Sequence, residues 1–260
     1  MFRFYPLGDC HLGSIECAEA ELSYKVKDIS QDPHGYVLGH GDYADCITRT
    51  DKRWDQRNLA PWVVRDNIVE SQRQRVKKVF EPLTHNKQLI GLLTGNHEEM
   101  IHKYHDNDLT RNLCADLGVP YAGYTCFVLL KFIKDEKCVN TYVWHAWHGA
   151  GGAQTEGARL LRLVRLVSDI EADIYTMGHI HGSITSHTPD RLYLNVRTGQ
   201  ISDRNIVATL SGSWVKTYMQ STEDNPLNPH YGEVSGYKPA RIGCPTISIK
   251  PYTGEITLTA

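Results

Sequence analysis

The chain has 260 residues, 41% hydrophobic and 22% charged. That balance fits a globular protein and excludes both a disordered, highly charged chain and one dominated by membrane spans. A formal charge of −2 provides no global attraction for polyanions, so binding to nucleic acid would need a local patch. Seven scattered cysteines without a CxxC pair exclude a disulfide framework and a zinc ribbon, and point to reduced thiols in a cytoplasmic setting. The opening Phe2-Arg3-Phe4-Tyr5 is not an apolar leader, and no apolar run reaches the roughly 20 residues of a spanning helix, so no membrane is expected.

In chain order, residues 2–8 predict a buried strand ending at Gly8-Asp9, and 15–30 a helix with Ser14 as N-cap. Tyr36-Val37-Leu38 forms a second strand ending at Gly39-His40-Gly41-Asp42. A polar insert at about 50–87 carries a helix over 61–81, with Pro61 in its first turn and Pro82 at its stop. Leu89–Leu93 is a third strand, ending at Thr94-Gly95-Asn96-His97, and 108–118 a helix closed by Gly118. Residues 124–133 and 138–147 read as paired strands around a charged turn. The helix over Ala153–Ile170 has the clearest apolar face, and Ile174-Tyr175 run toward Met177-Gly178-His179. Strands at 183–188, 191–198, 206–211, 244–250 and 254–259 give a β-rich C-terminal third, interrupted by a loop over 225–239. With neither repeat nor linker, a single domain over 1–260 is expected.

The apolar strands stop at Gly-bounded clusters of polar residues. These are Asp9-Cys10-His11, Asp42-Tyr43-Ala44-Asp45, Asn96-His97-Glu98, His145-Ala146-Trp147-His148 and His179-Ile180-His181. Imidazole mixed with carboxylate suits Zn, Fe or Mn. His179 and His181 would face oppositely on a strand, and converge only if the chain has already turned at Gly178 and Gly182. A single cluster of this kind is commonly a turn, but five in series at strand ends are not explained by chance. Loops at the carboxyl ends of parallel strands meet in one crevice.

The order D-x-H, GDxxD, GNHE, HG, GHxH, running from Asp9 to His181, resembles the calcineurin-like metallophosphoesterase superfamily. The resemblance implies an α/β (α+β) chain folded as a four-layer α-β-β-α sandwich with a dinuclear metal site at the strand ends. By position, Asp9, His11 and His181 would hold one divalent ion, Asn96, His148 and His179 the other, and Asp42 would bridge them. His97 corresponds to the catalytic histidine and Asp45 to the carboxylate that orients it. The family's ligand directly precedes Gly, which favours His148 over His145; the latter would be a supporting partner or a buried strand residue. Manganese is the expected metal, with Fe, Zn or Ni as alternatives.

The implied reaction is hydrolysis of a phosphate ester by a metal-activated hydroxide, with His97 protonating the leaving group. Phosphoprotein phosphatases of the superfamily carry Arg-Gly after the second acid, where this chain has Cys46-Ile47. The expectation is therefore a phosphodiesterase acting on nucleic acid, cyclic nucleotide or a related diester, with a phosphomonoesterase and a non-catalytic metal-binding scaffold as alternatives. Arg49 or Arg53 could substitute for that missing arginine from the insert, but the expectation is that both are solvated loop residues. The basic runs Arg65, Arg73, Arg75, Lys77, Lys78 and Arg159, Arg162, Arg165 could track a phosphate backbone but suit the wet faces of helices. Trp214, Tyr218, Tyr231 and Tyr237 are candidate base-stacking residues, and Ser211-Gly212-Ser213 a turn bordering the pocket.

Overall fold

A computed structural model describes residues 1–181, 186–219 and 231–259. Two mixed five-stranded sheets organise the protein. In the first, β1 (Phe2–Leu7), β2 (Gly35–Gly39) and β3 (Leu89–Leu92) run parallel, and β11 (Thr246–Lys250) and β12 (Glu255–Thr259) extend it antiparallel beyond β1. In the second, β5 (Lys137–Trp147), β6 (Ile174–Met177) and β10 (Val207–Leu210) run parallel. Antiparallel β4 (Thr125–Lys134) and β7 (Ser186–His187) form its edges. A separate ribbon pairs β8 (Asp190–Asn195) with β9 (Gln200–Asn205).

Strand alternation sends successive side chains to opposite faces, and both faces of the first sheet are apolar. Tyr5, Leu7 and Val37 pack with Leu22, Val26 and Ile29 of α1 (Glu19–Gln31), Val76 and Phe80 of α2 (Ile68–Phe80), and Leu109, Leu113 and Leu117 of α4 (Leu109–Leu117). Their neighbours Phe4 and Leu38 join Tyr142, Trp144, Ala146, Ile174 and Val207 of the second sheet in another cluster. The far face of that sheet, through Tyr175, Met177, Ala208 and Leu210, packs on Leu163, Leu166 and Val167 of α5 (Glu156–Asp169).

Several element boundaries differ from the sequence reading. Helix α1 begins at Glu19 rather than 15, because residues 9–18 are held by the site: Leu12 bridges Ala44, Ser14 bridges Leu59 and Cys17 bridges Val215. The Ser14 hydroxyl accepts from Glu16 N at 3.1 Å instead of capping the helix. In the insert only 68–80 is α-helical; Ala60, Val63 and Ile68 form a small core of their own with Trp54, Leu59 and Trp62 around it. α5 starts at Glu156, after Thr155 caps Ala158 N. The strand expected over 191–198 ends at Asn195, whose side chain accepts from Arg197 N and folds the chain back into β9. An unforeseen helix, α3 (Asn96–His105), follows β3, and a single turn, α6 (Tyr231–Val234), interrupts the expected C-terminal loop. The strand reading at 183–185 and the loop over 225–230 lie outside the described residues. Among the described residues no helix is long and apolar enough to cross a membrane, and all seven cysteines are free thiols.

Trp144 sits fully buried in the cluster shared by the two sheets, with its indole N–H donated to Thr176 Oγ1 at 2.8 Å. Trp144→Ala is expected to cost about 3–5 kcal/mol in urea-induced unfolding, the range for removing a buried large aromatic; a loss below about 1 kcal/mol would show that the sheets do not depend on this contact.

Candidate metal centre

The loops leaving β1 and β2 keep pairing after their strands have ended. Asp9 N donates to Gly41 O, Cys10 N and His11 N to Asp42 O, and Leu12 N to Tyr43 O, at 2.8–3.0 Å. The chain then takes an uncommon shape: Asp9, His11, Asp42 and His179 have φ of 48°, 49°, 50° and 67°. Such left-handed conformations cost non-glycine residues about 1–3 kcal/mol each and persist where the surroundings impose them. Gly41, at φ 83°, lies so close to Gly95 that a Cβ would collide with its backbone.

The surroundings that impose this shape centre on Glu98. Its buried carboxylate accepts from four backbone N–H groups: Asp42 (2.9 Å), Tyr43 (2.7 Å), Ala44 (3.2 Å) and Gly95 (3.0 Å). Burial and the nearby Asp42 charge push the Glu98 carboxyl up to about 7, against the pull of these bonds. The sequence reading placed Glu98 in a cluster without a role; its signal was an acid three residues after the glycine that starts a helix.

Cross-links tie the second sheet to the same point. His179 N donates to both Asp9 oxygens (3.0 and 3.1 Å), and Ser211 Oγ donates to Asp9 Oδ2 at 3.1 Å. Trp214 N donates to Asp9 O, so the Ser211-Gly212-Ser213 turn does border the site. His148 Nδ1 donates to His40 O at 2.6 Å, which leaves Nε2 facing the cluster. Burial pushes the His40 imidazole itself down to about 3, so it stays neutral.

The geometry gathers all nine residues singled out from the sequence into one neighbourhood. Besides His11, Asp45 and His97, two groups have potential ligand atoms within 4.8 Å of one another: Asp9, His11, Asp42 and His181, and Asp42, His148 and His179. Asp42 belongs to both. Asn96 Oδ1 lies 3.0 Å from His148 Nε2 and 2.6 Å from His179 Nδ1, adding an oxygen to the second group. His145, by contrast, bonds Thr125 Oγ1 at 3.0 Å and lies against Phe127, apart from these groups.

The donor set fits divalent cations. His11 Nε2 and His181 Nε2 approach within 3.0 Å, so at most one can carry a proton between them, and His181 Nε2 lies 3.4 Å from Asp9 Oδ1. Buried imidazole and carboxylate atoms converging at such distances suit an ion that accepts lone pairs from each. These overlapping His/Asp groups could hold metal ions. Protons also balance charge within the cluster: burial would lower His148, but the charge and hydrogen bond of Asp42 raise it to about 10. Burial would likewise raise Asp42, yet the His148 charge holds it well below the usual carboxylate range.

Asp45 is arranged differently from its expected part. Its carboxylate lies 3.3 Å from His11 Nδ1, and it is the Asp45 backbone carbonyl that accepts from His97 Nδ1. His97 N in turn donates to Asp42 Oδ1 at 2.9 Å. His97 Nε2 meets Arg53 NH1 at 3.1 Å, so Arg53 stands at the site rather than in solvent. A cavity of about 1020 Å³ opens here, with Arg53, Lys52, Asn96, Lys103, Tyr104 and Tyr124 in its walls.

Other basic and aromatic candidates have structural employment. Arg73 pairs with Glu70 and Asp116, and Arg75 with Glu19. Arg159 donates to Ala153 O, and Arg162 to Ala150 O and Gly152 O, bracing the loop after His148. Arg49 is an exposed loop residue near Asp66, as expected. Trp214 is a core residue, and the Tyr218 hydroxyl donates to Tyr237 O.

No protein-family model matches the chain, and no curated protein matches it significantly.

Two outcomes follow from this geometry. Glu98→Gln replaces an acceptor oxygen by an amide NH₂ facing backbone N–H groups, and should cost about 2–4 kcal/mol in unfolding while lowering bound metal; unchanged stability and metal content would remove Glu98 from its clamping role. Because His148 is raised to about 10 without metal, it is protonated at pH 7 and must release that proton to bind an ion. Mn titration at pH 7 in buffers of different ionisation enthalpy should therefore show about one proton or more released per chain, with affinity falling as pH falls; binding without proton release would contradict the His148 assignment.

Proposed function

We propose that the chain is a phosphodiesterase of the calcineurin-like metallophosphoesterase type, using two divalent ions that share Asp42. The observation that carries this reading is the pair of overlapping ligand groups joined at Asp42, with His97 beside them. The two apolar clusters on the faces of the first sheet, and the packing of α5 on the second, favour a four-layer α-β-β-α arrangement within one domain over 1–260. Asp9, His11 and His181 would complete one ion's shell, and Asn96, His148 and His179 the other's. Manganese is the first choice, with iron, zinc or nickel as alternatives. When bound, the ions supply Lewis acidity toward phosphate oxygens and a water of near-neutral pKa.

The chain's own residues do the rest. Asn96 adds an oxygen without charge, which keeps the site attractive to an anionic ester. The Asp45 carboxylate orients His11 through Nδ1, and the His40 carbonyl orients His148 in the same way. With its Nδ1–H donated to the Asp45 carbonyl, His97 presents Nε2 as the atom that can hand a proton to a leaving alkoxide. The adjoining cavity has room for an organic group on the ester, and Tyr104, Tyr124, Lys52 and Lys103 in its walls suit a nucleotide or nucleic-acid substrate. Seven free thiols favour a cytoplasmic setting.

The test compares bis(4-nitrophenyl) phosphate with 4-nitrophenyl phosphate on Mn-loaded protein, alongside metal analysis. The diester should turn over faster, and a hundredfold monoester preference would overturn the diesterase reading. Full metal loading with no hydrolysis of either ester would favour a binding scaffold. His97→Ala should keep its metal and lose about 10²–10³ in rate on alkyl leaving groups, but under about tenfold on nitrophenol. Equal losses on both would exclude His97 as the acid.

A further inference from the structure

The sequence reading left Arg53 as a solvated arginine, and the structure gives it another setting. Its Nε donates to Asp51 Oδ1 at 3.1 Å and its NH2 to Asp51 Oδ2 at 2.8 Å, while its backbone N also donates to Asp51 Oδ1 at 2.8 Å. This side-on pairing fixes the guanidinium plane. With that edge of the fork engaged, NH1 is directed to His97 Nε2. Arg53 also lines the cavity that reaches the metal-ligand cluster at Asn96. It is therefore an oriented cation at the boundary between the ligand cluster and a cavity of about 1020 Å³.

Its resting contact is a weak one to keep. His97 Nδ1 is engaged with the Asp45 carbonyl, so Nε2 receives the Arg53 bond as a neutral acceptor. A phosphate oxygen is charged and matches the guanidinium fork better than an imidazole nitrogen does. An anion entering from the cavity would draw NH1 from His97 and free Nε2, which would then take a proton from solvent before serving the leaving group as an acid. Asp51 lets this happen without cost in order, since it holds the guanidinium in both arrangements.

We propose that Arg53, held in place by Asp51, is the side chain that grips the phosphate of the ester at the mouth of the site. The proposal rests on the phosphoesterase reading and adds the insert as the supplier of a substrate-binding residue. Asp51 is a positioning residue, acting through Arg53. The insert thus delivers a cation to the site: Arg53 reaches His97 and the cavity wall, whereas Arg73, Arg75, Arg159 and Arg162 are paired with acidic or carbonyl groups away from them.

The test measures inorganic phosphate binding by calorimetry and diester hydrolysis on the Mn-loaded full chain. Arg53→Ala should weaken phosphate binding by about tenfold or more and lower kcat/KM for the diester by about 10²-fold. Arg53→Lys should restore only part of this, because an ammonium cannot pair side-on with Asp51 and still reach the phosphate. Asp51→Asn should mainly raise KM, by about three- to tenfold, with the guanidinium loosened but present. Added guanidinium ion should partly rescue Arg53→Ala and leave wild type unchanged, a response that a merely destabilised insert would not give.

If Arg53→Ala binds phosphate and turns over the diester like wild type, Arg53 is not the gripping residue and the phosphoesterase reading is untouched. A loss in Arg53→Ala that neither lysine nor guanidinium relieves, with a lowered unfolding midpoint, assigns Arg53 to loop structure and overturns the proposal. Phosphate binding that depends on Arg53 in a wild-type protein hydrolysing no ester would sustain the proposal and sink the enzyme. Failure of wild type both to bind phosphate and to hydrolyse esters would sink both.

Discussion

A buried carboxylate is tolerable only when hydrogen bonds replace the water it has lost. Glu98 meets that condition with four backbone N–H groups, three of them consecutive in the loop after β2. The loop is thereby wrapped around one anion, and Asp42 is held at a positive φ that an unconstrained aspartate would leave. Because Asp42 lies in both ligand groups, the position of every other ligand is judged against it. The carboxylate outside these groups is thus the one that holds the carboxylate they share in place.

The second requirement is that two sheets end at the same place. β1 and β2 are in parallel register from Arg3↔Gly35 to Leu7↔Gly39, so their loops emerge side by side and continue to exchange hydrogen bonds. From the other sheet, β5 and β6 deliver His148 and His179, and the bonds His179 N to Asp9 and His148 Nδ1 to His40 O lock the two edges together. Apolar packing of Phe4, Leu38, Trp144 and Ile174 sets the spacing, and these polar links fix the alignment at the end of it.

Much of this was legible in the sequence because buried parallel strands leave short apolar runs, and polar residues at their ends stand out by contrast. What was not legible has particular causes. Helix α3 buries only His97, Glu98 and Ile101, too narrow a stripe to show helical periodicity; acids in its first turn and His102, Lys103 and His105 in its last suit its dipole instead. The start of α1 was misplaced because Ser14 serves a turn, a local bond that looks like a cap in sequence. The division of Asp45 between a carboxylate for His11 and a carbonyl for His97 is a matter of backbone direction, to which residue type gives no clue. Arg53 was set aside for a similar reason: an arginine in an irregular loop has no period to read, and nothing in the sequence marks its pairing with Asp51.

The proton on His148 bears on how the two sheets are joined. With Asp42 and His148 paired, the cluster neutralises part of its own charge before any ion arrives. Self-repulsion among the acids is thereby reduced by the fold's own groups, at the point where the two sheets meet. Asp42 follows a strand of the first sheet and His148 a strand of the second, so a change that neutralised either partner would loosen both sheet ends at once.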